Sequence, residues 1–197
     1  MTTPSVPPVV LTGERVVLSV PTDADVDRIA ELCADPAIAE WTTVPSPYTR
    51  DHAVGFVTGM VADGWASGRV RTWGVRASGV LVGMVGLHDV EDGAAELGFW
   101  LASEARGQGI MSEAVRLALD HAFAADPDGV GLRRVVWHAF AGNVASAAVA
   151  RRAGFTFEGA SRLGAVHRGV RRDDWQAGLL ADDSRTPKDG WPAETWG

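Results

Sequence analysis

One stretch limits the fold more than any other: Glu96 to Phe123, ELGFWLASEARGQGIMSEAVRLALDHAF. Its start alternates, with Leu97, Phe99 and Leu101 set against Gly98, Trp100 and Ala102, the period of a sheet. From Ile110 the apolar residues Ala114, Leu117, Ala118 and Ala122 recur at three and four. Met111, Val115, Leu119 and Phe123 widen that face, so this half is an amphipathic helix. Between them lies Arg106-Gly107-Gln108-Gly109. The first turn of a helix has unpaired N–H groups and a partial positive charge, which suits a phosphate. Glycines let backbone approach such a ligand, and Arg106 adds a full charge at the mouth. A dinucleotide fingerprint would need a third glycine where Ser112 stands, and no G-x-x-x-x-G-K-[ST] loop occurs. A glycine loop that merely caps a surface helix would look the same locally, so the rest of the chain has to discriminate.

On either side the elements fall in a clear order. Glu14–Val20 predicts a strand ended by Pro21, and Thr22 caps a helix carrying Val26, Ile29, Ala30 and Leu32 that stops at Asp35-Pro36. Residues 41–49, with two prolines, read as loop. A second helix is expected over 51–65, weakened by glycines at 55, 59 and 64. Strands follow at 70–76 and 80–87, joined by the turn Ala77-Ser78-Gly79, and at 93–102. After the central helix, 132–139 reads as strand, Asn143 opens a helix through Arg152 that Gly154 ends, and 155–163 and 170–180 close as strands. The order β-α-α-β-β-β-α-β-α-β-β is a mixed α/β or α+β arrangement with no internal repeat. It divides into an extended segment 1–13, a single domain over 14–180 and a tail 181–197.

Composition narrows the function. At 197 residues, 46% hydrophobic and 22% charged, the chain can bury one core. Cys33 is the single cysteine, which excludes a disulfide framework or a cysteine zinc cluster. The start MTTPSVPPVV has no basic, apolar signal-peptide pattern, and no run of 18 apolar residues exists, so a cytoplasmic location without membrane association is expected. A net charge of −7 argues against nucleic-acid binding and is compatible with a cationic amine.

A second segment decides among the loop readings: Asn143-Val144-Ala145-Ser146, Arg152-Ala153-Gly154-Phe155 and Glu158-Gly159. With ELGFWL, RGQGIMSEA, TGERVVL at 12–18, PSPYT at 45–49 and VGLHD at 85–89, this resembles the GNAT superfamily of N-acyltransferases, in its RimJ/RimL-like branch. The resemblance covers roughly residues 12–180. It departs at Met111, where many members have glycine or alanine. It implies a mostly antiparallel sheet of about seven strands, splayed at the cofactor, with about four flanking helices. It further implies that backbone of Phe99, Trp100 and Leu101 bonds the pantetheine of an acyl-CoA. Arg106, Gly107, Gln108, Gly109, Ile110, Met111 and Ser112 would then hold the pyrophosphate, Asn143 the pantetheine, and Ser146 would lie near the sulfur.

Transfer from a thioester to an amine needs a neutral amine, a polarised carbonyl and a protonated leaving thiolate, and no metal. Glu96 is the first candidate base and His88 the second; Ser146 is the candidate acid. Each has a bland counterpart: a strand-end acid, a loop-bonded histidine, a helix cap. Asp173 and Asp174 would receive a cationic substrate or form a solvated pair, and Arg168, Arg171 and Arg172 would attract an anionic acyl group or offset acids. Trp41, Tyr48 and Trp65 would line an acceptor pocket or the core. The expected function is transfer from acetyl-CoA, or another donor such as succinyl-CoA, to a protein N-terminus or small-molecule amine. The alternatives are an inactive acyl-CoA-binding sensor and an unrelated nucleotide-binding regulator. Trp191 and Trp196 would pack across a homodimer interface or in cis.

Overall fold

The computed structural model describes residues 7–196. Among them, eight strands form one sheet in the order β1-β2-β3-β4-β5-β6-β8-β7. These are β1 (Leu11–Thr12), β2 (Val16–Ser19), β3 (Arg71–Ala77), β4 (Val80–Glu91), β5 (Ala94–Leu101), β6 (Arg134–Phe140), β7 (Thr156–His167) and β8 (Val170–Leu180). The helices are α1 (Val26–Cys33), α2 (Pro36–Trp41), α3 (Arg50–Gly55), α4 (Ala62–Ser67), α5 (Ile110–Phe123) and α6 (Val144–Arg152). Every strand pair is antiparallel except β5–β6, which α5 connects in parallel. The mixed α/β architecture expected from the sequence is present. The strand beyond the expected seven is β1, two residues inside the segment read as extended.

Alternation along the strands gives the sheet two different faces. Leu18, Trp73, Val85, Leu87, Leu97, Val135, Trp137, Ala177 and Leu179 join Ala114, Val115, Ala118 and Leu119 of α5 and Ala147 and Ala150 of α6 in one core cluster. On the opposite face Val26, Ile29 and Cys33 of α1 and Ala53 of α3 pack on Leu81 and Met84 of β4. Asp25 ties α1 down, accepting from both Arg76 Nη atoms of β3 at 2.9 and 2.8 Å.

Five expectations need correcting. Asp35-Pro36 ends α1 but also starts α2, because proline fits the first helical position and Asp35 Oδ1 accepts from the Ala37 N–H at 2.9 Å. Trp41 therefore belongs to a helix and not to the loop. The helix placed at 51–65 runs from Arg50 to Ser67, but its centre, Phe56–Val61, is π-helical. Gly55 precedes that stretch and Gly59 lies within it, both with no atom where a Cβ would point, whereas Gly64 is required for close packing on Val70. Strand β4 continues past Leu87 to Glu91 through a bulge, and β7 continues past Leu163 to His167.

The C-terminal segment packs on its own chain. Trp191 lies between Trp137 and Phe157, with ring centroids at 5.7 and 5.3 Å, and donates its indole N–H to the Phe155 carbonyl at 3.1 Å. Trp196 stacks beneath the Arg151 guanidinium, 3.4 Å from the ring centroid. Trp65 is core as well, its indole N–H bonded to the Thr72 carbonyl.

One buried contact makes stability depend on pH. Arg71 Nη1 lies 3.1 Å from His121 Nε2, and His121 Nδ1 lies 3.3 Å from the Asp128 carbonyl oxygen. Arginine only donates and a carbonyl only accepts, so Nε2 is the acceptor and Nδ1 carries the proton. Burial, then the Arg71 charge, push the His121 pKa down. The folded protein thus holds His121 neutral, while the unfolded chain binds a proton below its ordinary value of about 6.5. Stability is complete above that pH and falls below it, at up to about 1.4 kcal/mol per pH unit for one proton. Urea midpoints measured from pH 7.5 to 5 should show this decline, and His121→Gln, which keeps an acceptor for Arg71, should flatten it.

Candidate active site

Strands β5 and β6 pair only over Ala94–Arg134, Ala95–Val135 and Glu96–Val136. Beyond Glu96, β5 continues to Leu101 bonded to β4 alone, and β6 continues to Phe140 bonded to β8. The sheet therefore opens as a V, and the β5 backbone from Gly98 to Leu101 has one hydrogen-bonding edge without a strand.

A cavity of about 1160 Å³ occupies this opening. One wall is the glycine loop and first turn of α5: Arg106, Gly107, Gly109, Ile110, Met111 and Ser112. Phe99, Trp100 and Leu101 supply the strand edge, and Asn143 and Ser146 of α6 face it. Ile38 and Trp41 of α2 close the far end, so the cavity passes from the α5/α6 face toward the α1/α2 face. Eleven of the residues expected to bind the donor line this space. Gln108, Glu96 and His88 do not.

The local geometry suits a phosphate. Gly107 and Gly109 have φ of 74° and 75°, left-handed values that favour glycine. The first bond of α5 runs from the Glu113 N–H to the Gly109 carbonyl at 3.1 Å, so the N–H groups of Ile110, Met111 and Ser112 lie free of intrahelical partners. Arg15 braces the turn from outside, donating to the Gln108 carbonyl at 3.0 Å and through Nε to Glu113 Oε2 at 3.0 Å. Gln108 itself turns away, its amide bonded to the Glu104 carbonyl. Arg106, Arg152 and Arg185 also line the cavity. Arg185 stacks on Phe123 at 4.3 Å, and its Nη1 is buried without a hydrogen-bond partner among the described residues. A buried orphan donor at a cavity wall fits an anionic group. Arg15 and Arg185 went unrecognised in the sequence because only the fold brings positions so far apart together, and Arg152, though inside the second motif, carried no signal of its own.

At the inner end the groups are polar and directed. Asn143 Oδ1 accepts from the Ser146 N–H at 3.2 Å, capping α6 and leaving the amide NH₂ for another acceptor. Ser146 Oγ accepts from the Trp137 indole N–H at 3.0 Å. The indole can only donate, so the Ser146 hydroxyl proton stays available. Glu96 pairs across the sheet with His88, on the face opposite buried Leu97. The His88 ring lies over Gly86 and Gly98, its Nε2 3.1 and 3.2 Å from where their Cβ atoms would be. Burial pushes the His88 pKa down despite the nearby charges of Glu96 and Asp89, which favours a neutral ring.

Comparison with known proteins bears on the family and the fold. The acetyltransferase (GNAT) domain family matches residues 15–156. The Bacillus subtilis (strain 168) protein YdaF, described as a ribosomal N-acetyltransferase, is 37% identical over 102 residues, covering 51% of this chain and 54% of YdaF. The chain thus matches about half the length of that curated relative. Among solved structures, the RimL ribosomal L7/L12 alpha-N-protein acetyltransferase in complex with coenzyme A superposes with a TM-score of 0.79 at 23% identity, over 87% of this chain and 98% of that one. Mycobacterium smegmatis RimJ in complex with CoA-disulfide gives 0.78 at 22%, over 90% and 87%. At such identities the two structures speak for the fold.

Proposed function

The chain belongs to the GNAT acetyltransferase domain family, and from that premise we propose that it transfers an acyl group, acetyl first among the candidates, from coenzyme A directly to a primary amine. The observation that carries the reading is the V between β5 and β6, with a phosphate-suited helix start at one end and a free serine proton at the other. The strandless edge of Phe99–Leu101, whose Leu101 carbonyl already accepts from Arg106 Nε at 3.1 Å, takes the pantetheine as an added strand through its remaining groups. The loop 106–112 holds the pyrophosphate, and the Asn143 amide reaches the pantetheine.

The chemistry then follows the faces of the sheet. The donor lies along the α5/α6 side and the amine enters from the α1/α2 side. A backbone N–H on the open β5 edge stabilises the oxyanion as the amine nitrogen attacks the carbonyl carbon. As the carbon–sulfur bond breaks, the Ser146 hydroxyl protonates the departing sulfur and is reprotonated from the attacking nitrogen. Glu96 lies on the amine side, where its charge draws in an ammonium. For the acceptor, the likeness to YdaF, a ribosomal N-acetyltransferase, and to RimL, an acetyltransferase of L7/L12, favours a protein N-terminus over a small amine.

Calorimetric titration with acetyl-CoA, succinyl-CoA and coenzyme A tests the donor site. Dissociation constants on the order of micromolar are expected, and Arg106→Ala, which removes a cavity-wall charge, should weaken binding about tenfold, or about 1.4 kcal/mol. Absence of binding by all three would end the transferase reading.

A further inference from the structure

On the acceptor face of β6, His138 is held by a carboxylate from the next strand: its Nδ1 lies 2.8 Å from Asp174 Oδ2 of β8. We propose that His138 is the general base that removes the proton from the acceptor ammonium, with Asp174 as its positioning residue. The proposal rests on the transferase reading above.

The placement comes from the register. Glu96 and Val136 are the last pair of β5 and β6, and counting on from them sets His138 level with Gly98, the first residue of the open edge. Gly98 carries no side chain there, and the space over it is taken by the His88 ring of β4, whose Nε2 lies 3.2 Å from where a Cβ would be. Along β6, His138 is the neighbour of Trp137, and the Trp137 indole is the group that fixes Ser146. Successive residues of a strand point to opposite faces. The candidate acid and the histidine therefore stand at one level of the V, Ser146 on the donor face and His138 on the acceptor face. Glu96 sits two residues nearer the closed end.

The histidine is chemically prepared for this task. A carboxylate only accepts, so Nδ1–H donates to Asp174, and the ring of the neutral form presents Nε2 as an acceptor. Among the described residues no other side chain bonds to the ring. His138 is about a third exposed and Asp174 about a sixth, so Nε2 can be reached while its anchor is held. The charges facing it are Glu96 on β5, Glu158 on β7, Arg134 on β6 and Arg172 on β8, with His88 and His167 beyond. Arg134 and Glu158 neutralise each other through two bonds of 2.8 and 2.6 Å, and Arg172 stacks toward Trp41 and Phe140. Glu96 and Asp174 remain to attract a cation.

The step balances. Nε2 takes one proton from R–NH₃⁺, giving imidazolium and R–NH₂; the amine lone pair forms the carbon–nitrogen bond; the carbon–sulfur bond breaks, and the second nitrogen proton reaches sulfur through Ser146. The imidazolium then returns its proton to solvent, the single proton the reaction releases.

The test measures thiol release from acetyl-CoA with hexapeptides beginning with alanine or serine, and with spermidine, across pH 5.5–9.5. His138→Ala and His138→Gln should lose about 10²- to 10⁴-fold in kcat and the acid limb of the kcat/KM profile, with the acetyl-CoA dissociation constant within about threefold of wild type. Asp174→Asn, whose amide donates to Nδ1 and favours the wrong tautomer, should lower kcat with little change in acetyl-CoA binding. Unchanged profiles in both His138 variants, or an acid limb lost only in Glu96→Gln, would overturn the proposal. A wild-type protein that binds acetyl-CoA yet acylates no probe would remove the transferase reading and the proposal with it.

Discussion

Trp137→Ala is expected to cost about 3–5 kcal/mol of unfolding free energy, the range for truncating a fully buried tryptophan. The indole is the centre of several contacts. It is 1% exposed, belongs to the core cluster that joins α5 and α6 to the sheet, and meets Trp191 at 5.7 Å. Its removal opens a cavity beneath α6 and releases the C-terminal segment that Trp191 anchors. It also frees Ser146 Oγ from its indole donor, so the hydroxyl loses its direction. Trp137→Phe separates the two effects. It keeps most of the volume, should cost closer to about 1 kcal/mol for the lost hydrogen bond, and should lower acetyl transfer more than it lowers stability. Urea unfolding and acetyl-CoA turnover on the two variants check this. Equal stability of Trp137→Ala and wild type would mean that the tryptophan layer does not hold α6.

That layer shows what a one-dimensional reading reaches. The strand, loop and helix around Gly109 were legible because their signals are local: alternation, a glycine pair and an amphipathic repeat that buries Ala114, Ala118 and Ala122. The turn at Ala77-Ser78-Gly79 was legible for the same reason. Asp35-Pro36 was read as a stop because proline removes an N–H, but at a first helical position that N–H is not needed, and α2 begins there. The π-helical stretch at 56–61 has no signature beyond its glycines. For Trp191 the sequence left a homodimer interface and a contact in cis equally open, because only the folded sheet reveals the hollow between Trp137 and Phe157 that receives it. In the cavity, the residues in the loop and at the start of α6 were found from their motifs. Arg15 and Arg185, far away in sequence, were not. His138 and Asp174 are 36 residues apart, and no spacing rule joins them until β6 and β8 pair.

Gly109→Val is expected to remove donor binding while leaving the fold in place. Gly109 adopts φ 75°, ψ 2° at the N-cap of α5. A left-handed conformation costs an L-residue about 1–2 kcal/mol, and a β-branched one is worse. Space is short as well. A Cβ at Gly109 would lie 3.2 and 3.3 Å from the two terminal nitrogens of Arg15, the guanidinium that grips Gln108 and Glu113. Relief must come from rotating the loop or expelling Arg15, and either turns the N–H groups of residues 110–112 away from their common focus. A loss of about 2.7 kcal/mol, or a hundredfold in the acetyl-CoA dissociation constant, follows from the two effects together. Gly107→Ala is the internal comparison: its φ of 74° carries the same strain, but nothing lies where its Cβ would point. It should weaken binding by about tenfold or less, the share of backbone strain alone at 1.4 kcal/mol per decade. Calorimetry on the two variants, with far-ultraviolet circular dichroism to confirm the helices, reads the difference. A Gly109→Val protein that binds acetyl-CoA within threefold of wild type would show that the helix start does not hold the phosphates, and would shift that role to Arg106, Arg152 and Arg185.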